Sequence, residues 1–440
     1  MAVTIDQTRP DQPNYDLLYD KEYYTKSLNT EHLIAGKKLS YRIIEDGYIL
    51  PLLAHVNEGG IFSSEGDYVS GSSYKEGPGD FSDEINNRTI TLKAAAELHG
   101  IDPTDVISEN STVVYLGMFF KVWGHLITDN MRLLWFLHSN DYAEKFSQCK
   151  LIYCPVMDFK LEGNYKRMLE ILGIDCSKLT PVTRLSRYSR IILPDECFFK
   201  NDAGIRFFTP EYVSTIDAVR DYAASIARPG TPEKIYYSYS SYKSGKTFGE
   251  DKLERYFASK GYAIIHPERL TLDEQLTLLA GCKSFASTIG SCAHNMIFLR
   301  DGAEVILIPR ANYFAAYQPV LDQVHRLNIH YVDSSFSIFV GKRPWGGPHL
   351  YFISSNLRRY FHDEDTSPII DVSDFMRYMN AHTTDSNPET YKYYSVIAAE
   401  YFGGLCALRR SKTIRERLKR IPGLRKAVRA VKRLLGILRE

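Results

Sequence analysis

The chain reads as a two-lobed α/β protein, and three observations predict this. It has 440 residues, too many for one ordinary core. Its composition is globular, with 44% hydrophobic and 24% charged residues. From residue 111 onward, strand-like runs alternate with helix-like runs, which is the pattern of βαβ units around parallel sheets. The Pro/Gly-rich stretch from Arg228 to Pro232 reads as a linker between lobes. The expected layout is a first lobe over 1–228 with a strand-rich N-terminal extension and a second lobe over 229–345. An extension over 346–408 would pack back on the lobes, and a basic tail covers 409–440.

Taken in order, residues 1–110 hold short strands, turn signals at 58–60 and 77–80, and one helix at 92–100 closed by Gly100. The first lobe then predicts strand 113–116, helix 124–138, strand 151–156, helix 163–173 and strand 190–194. Past the linker come strand 235–240, helix 249–261, strand 262–267, helix 272–282 and strand 284–288. A turn and helix over 289–302, strand 303–309, helix 313–328 and strand 329–333 complete the lobe. Ligands of such sheets bind at the carboxyl ends of the strands, here in the cleft between lobes.

Several classes are disfavoured. No run approaches the ~20 apolar residues of a membrane-spanning helix. The N-terminal residues lack the apolar centre of a signal peptide. Seven cysteines without a CxxC pair read as reduced thiols in a cytosolic protein.

The stretch from Ser111 to Leu137 is the most informative. At 100° per residue, Thr128, Asp129 and Arg132 gather on the side of His125, and apolar residues fill the rest. An imidazole and a carboxylate one turn apart on the polar stripe of a buried helix can orient one another and share a proton. The structural alternative is that Asp129 complements the helix dipole while His125 packs or caps. Asn130 points into the apolar arc, so it needs a specific hydrogen bond.

Two motifs together resemble glycosyltransferase family 61. The first is Gly124-His125, Asp129-Asn130 and Arg132-Leu133. The second is the block TLDEQLTLLAGCKSFASTIGSCAHNMIFLRDGAEVILIP at 271–309. The resemblance covers roughly residues 111–335. It implies a GT-B fold of two Rossmann-like lobes and inverting sugar transfer from a nucleotide donor, in bacterial relatives often for capsule or lipopolysaccharide. The chain departs from the family's Gly-rich turn. Ile289 stands where the family has His, another His appears at 294, and the family's Ser-Arg after the lobe's first strand is Ser238-Tyr239 here.

On this resemblance Asp129 is the candidate base, with His125 as its orienter or as the base itself. Asn130 and Arg132 are placed on the acceptor side. The turn Thr288–Asn295 is expected to hold the donor's diphosphate through Gly290, Ser291, His294 and Asn295. Lys243 and Lys246 could reach phosphates, and Glu268 could meet the nucleoside. No paired-carboxylate motif is positioned for a metal, and Asp301 and Asp322 read as structural, so metal-independent chemistry without a cofactor is expected.

Residues 409–440 hold 13 of the 54 basic and 2 of the 53 acidic residues, a net of +11 that leaves the rest at −10. Leu424 to Leu438 forms one apolar and one basic face, suited to an anionic membrane surface. The expectation is therefore a cytoplasmic transferase, peripheral to the inner face of the plasma membrane. Its partners would be a nucleotide-sugar and a glycan or lipid-linked glycan, with no nucleic acid. The alternatives are a non-catalytic sugar-binding subunit of a polysaccharide assembly complex, or a GT-B-like transferase of pyruvyl or glycerol phosphate groups.

Overall fold

The computed structural model describes residues 12–18, 21–25, 31–34, 36–51, 59–73, 91–98, 100–156, 158–201, 205–241, 247–310, 317–335 and 349–381. It is a mixed α/β structure built on two large sheets.

The first sheet has seven strands. Its centre is the strand Ile107–Phe120, with Lys150–Val156 and Ser186–Pro194 parallel on either side. Leu179–Pro181 extends it in parallel at one edge. Three N-terminal strands, Tyr41–Glu45, Tyr48–Leu50 and Gly60–Phe62, add to it in antiparallel fashion. The central strand is buried from Val113 to Phe120, as a sheet covered on both faces requires.

The second sheet has six parallel strands. Spatially they run Asn14–Leu17, Asn328–Val332, Glu304–Ile308, Ser284–Thr288, Lys234–Tyr237 and Ala263–Ile265. Counted from Lys234, the order is that of a flavodoxin-like doubly wound sheet. Its switch point lies between Lys234–Tyr237 and Ser284–Thr288, where such sheets open a crevice for ligands. The strand Asn14–Leu17, which the expected layout put in the first lobe, is paired here with Asn328–Val332. Tyr15 stacks on Tyr331 with ring centroids 5.0 Å apart, which gives this short strand a reason to dock.

One apolar cluster runs through both halves. It joins Leu126, Ile127 and Met131 to Tyr212, Ile216 and Val219 of helix Pro210–Ser225, then to Leu276, Phe285 and Ile297. Each such side chain contributes about 1.5–3 kcal/mol on burial. An exposed pair linking the halves, Arg167 to Asp273 at 2.9 Å, is worth at most ~1 kcal/mol. Apolar packing therefore holds the halves together.

Three expected helices differ, and the one over 289–302 forms only the 3-10 helix Ala293–Phe298. The helix over 124–138 is broken into a turn Trp123–His125, a π turn Leu126–Asn130 and a 3-10 turn Leu134–His138. Tertiary bonds compete with the α ladder there. Asn130 Oδ1 accepts from the Phe120 N–H at 3.1 Å, and the Arg132 carbonyl accepts from the Cys197 N–H at 2.9 Å. The helix over 313–328 is reduced, among its described residues, to Gln318–Leu321. Helix Leu272–Gly281 forms where expected, started by a capping box of Thr271 and Glu274.

Of the extension, helix Ser355–Tyr360 packs on strands Asn14–Leu17 and Asn328–Val332. The basic tail 409–440 lies outside the described residues, as do Lys243 and Lys246. Among the described residues no helix is long and apolar enough to cross a membrane.

Candidate active site

The central strand of the first sheet ends at Phe120, and the chain passes through the turn Trp123–His125 into the π turn. That turn carries Asp129 to a buried position beside His125. Single π turns inside helices are often found at functional sites. His125 Nδ1 lies 2.6 Å from Asp129 Oδ2. The Thr128 hydroxyl donates to the same oxygen at 3.0 Å, and the Tyr317 hydroxyl donates to it at 2.9 Å. Three groups thus converge on Oδ2, and no hydrogen bond falls on Oδ1 among the described residues.

Burial by itself would push the Asp129 carboxyl up. The hydrogen bond and charge of His125, the Arg206 guanidinium and the Tyr317 hydroxyl outweigh it and hold the group below the usual carboxylate range. Arg206 also lies over the Tyr317 ring, 3.9 Å from its centroid. Asn130 is fully buried and braces the end of the strand through Phe120. Arg132 is buried too and pairs with Glu196 at 2.8 Å.

The expected donor turn sits directly against this pair. A Cβ on Gly124 would lie 2.9 Å from Ser291 Oγ and 3.0 Å from His294 Nδ1, so glycine is what allows the two turns to touch. Trp123 Nε1 donates to Asn295 Oδ1 at 3.0 Å, a second tie between them. The turn leads into a six-residue 3-10 helix, Ala293–Phe298, instead of an α-helix. The N–H groups of Ala293 and His294 are already spent on the Gly290 carbonyl. His294 is buried, which pushes its imidazole down to about 3 and leaves it neutral. The Cys292 thiol is pushed up to about 12 by burial and keeps its proton.

Positive charge reaches the turn from a residue the sequence reading missed. Arg310 follows strand Glu304–Ile308, and its Nη2 donates to Thr288 Oγ1 at 3.1 Å. Its guanidinium lies where a Gly290 Cβ would stand, 2.7 Å from that position, and Gly290 has φ +149°. Across the switch point, buried Glu250 accepts from the Tyr239 N–H at 3.0 Å, and burial raises its carboxyl. Glu254 accepts from Ser238 Oγ at 2.6 Å. Glu268 lies in the 3-10 turn Pro267–Arg269, at the carboxyl end of Ala263–Ile265. Arg310, Tyr317 and Arg206 had one signal between them: an Arg immediately after a strand of a parallel sheet lies at its ligand edge.

Asp322 is buried and bonded to Gln318 and Tyr331, as its structural reading expected, and burial pushes it up to about 7. Among the described residues, no group of three or more His, Cys, Asp or Glu could hold a metal ion.

Fold and site together define an α/β protein in which a His–Asp pair stands beside the ligand edge of a parallel sheet, a fitting arrangement for a group transferase. The segment 123–306 matches the family model described as Glycosyltransferase 61, the family that the two motifs resemble. That family implies a sugar donor and a glycan acceptor. No match to a curated protein was found.

Proposed function

We propose that the chain is an inverting, metal-independent glycosyltransferase of GT-B type, extending a capsule, lipopolysaccharide or other surface glycan from a nucleotide-sugar. The observation that supports this most is the Asp129 carboxylate. It is ionised, fixed through Oδ2 by His125, Thr128 and Tyr317, and open at Oδ1. Oδ1 takes the proton of the acceptor hydroxyl as that oxygen attacks the anomeric carbon. His125 and Tyr317 keep the carboxylate oriented. The sugar–phosphate bond breaks on the opposite face, and the departing nucleoside diphosphate takes the electron pair. Arg310 beside the Gly290 turn supplies positive charge for that group. Asn295, bonded to Trp123, keeps the two turns in register. In this reading the basic tail, net +11, holds the enzyme at the inner membrane face where a lipid-linked acceptor resides.

The test is a panel of nucleotide-sugars and oligosaccharide acceptors, with and without EDTA, read by mass spectrometry. Sugar-sized mass increments that persist in EDTA are expected. Nucleotide binding without turnover on any acceptor would sink catalysis. Absence of any nucleotide affinity would favour a sugar-binding subunit.

A further inference from the structure

A second charged recess adjoins Asp129. It is a cavity of about 30 Å³ walled by Ser73, Arg132, Glu196, Lys200 and Arg206, with Asp129 on one side. One water needs roughly 10–15 Å³, so the space suits a group of a few heavy atoms.

Arg132 is the notable wall. It is only 4% exposed. Its Nη1 is bonded to Glu196 Oε1 at 2.8 Å and more loosely to the Ser73 carbonyl at 3.4 Å. Its Nε and Nη2 are buried and have no hydrogen-bond partner. Those two N–H groups form the side-on edge of the guanidinium, which pairs with a carboxylate or phosphate through two parallel bonds. Leaving them unpaired is costly to the fold. Both lie against Gly117, so an anion in the recess meets them as the guanidinium turns toward it, and removes that cost. The local charge points the same way, because three cations, Arg132, Lys200 and Arg206, face two carboxylates, Glu196 and Asp129.

A phosphate of the donor is one source of such an anion. The donor's phosphates already have Arg310 and the Gly290 turn on the second sheet, however. The recess is built from the turns after strand Ile107–Phe120, from Ser73, and from the strand pair Phe198–Lys200 and Arg206–Phe208, on the side of the proposed base.

We propose that this recess binds the anionic group of an acidic acceptor, a uronate carboxylate or sugar phosphate lying beside the hydroxyl that Asp129 deprotonates. The assignment to the acceptor rests on the reading of Asp129 as the base.

The test uses the full chain and isothermal titration with glucuronate, glucose 6-phosphate and glucose. The two anions should bind about tenfold or more tighter than glucose, because the new bonds are charge-assisted. Arg132→Lys, which keeps the charge and loses the fork, should erase most of that preference without changing affinity for nucleoside diphosphates. Lys200→Gln should weaken anion binding less, and it serves as the test if Arg132→Lys does not fold. Equal binding of anions and glucose, or variants with wild-type preference, would overturn the proposal. Competition between glucuronate and a nucleoside diphosphate, both weakened by Arg132→Lys, would overturn it in favour of a donor-phosphate site. Selective anion binding with no transfer to any acceptor would support the recess and instead remove the glycosyl-transfer reading.

Discussion

Two strand ends face one another in this molecule, and they solve the same geometric problem with opposite electrostatics. Strand Ile107–Phe120 runs into the turn holding Gly124, and strand Ser284–Thr288 into the turn holding Gly290. The second leads into a short 3-10 helix, and the first, through the single turn Trp123–His125, into a π turn. The first keeps charge, with Asp129 ionised and Arg132 paired to Glu196. The second is neutral. His294 is stripped of its proton, Cys292 retains its own, and the cation, Arg310, arrives from the next strand. A turn at the edge of a parallel sheet therefore supplies a place, and the chemistry comes from which neighbours can afford to stay charged there.

The comparison can be broken most severely at Asp129. Asp129→Asn keeps the shape and removes the base, so kcat should fall ~10²-fold or more while nucleotide affinity stays near wild type. Arg310→Ala should do the reverse, weakening nucleotide affinity by about tenfold through loss of charge-assisted bonds. If both variants lowered kcat alike and left nucleotide affinity intact, the division of labour between the two turns would be wrong.

A smaller effect tests their contact. Gly124→Ala forces a methyl against Ser291 and the buried His294 ring, and should cost about 1–3 kcal/mol in urea unfolding. Wild-type stability would mean that the turns are not pressed together.

The smallest effect is on pH. Burial pushes both His294 and His325 down to about 3, His294 further through the charges of His125 and Arg310. An unfolded histidine takes its proton near ~6.5. Between those values the unfolded chain binds protons that the folded chain refuses, so stability should fall as pH drops below ~6.5. The depressed Asp129 works the same way but lower. Its stabilising charge is present above the unfolded carboxylate value of ~4 and is lost as pH falls through its folded value. His294→Gln should flatten the slope between pH 7 and 5 in urea titrations, and an unchanged slope would show that His294 is protonated in the native state.

Much of the fold was legible because its strands are short apolar runs bounded by turn residues. Those predicted near 113, 151, 190, 284 and 303 all form, and the capping box starts its helix. The helix over 124–138 was misread for a physical reason. A stretch apolar on nearly every side offers no period to contradict an α ladder, and the bonds that break it come from Phe120 and Cys197, near and far in sequence. The i, i+4 pairing of His125 and Asp129 was legible nonetheless, as was the need of Asn130 for a partner. Glu250 stands in the first turn of its helix, where an acid is ordinary, and only the tertiary structure buries it. Arg310 had only its place just after a strand to mark it, and Tyr317 was invisible as a site residue because its partner lies far away in the chain. Tyr317 meets a carboxylate 188 positions away.

The strand Asn14–Leu17 also bears on how this protein is made. Asn356 Nδ2 donates to the Leu17 carbonyl at 2.8 Å across 339 positions of chain. A nascent second sheet thus cannot finish its border with residues just synthesised, and it must capture a segment that left the ribosome long before. Until then Asn328–Val332 is an open border with unpaired backbone groups, the kind of template on which chains aggregate. A protein expressed from residue 229 onward would carry that border permanently. The apparent linker at 228–232 is therefore a poor place to cut, because the two halves are sewn together by their earliest thread.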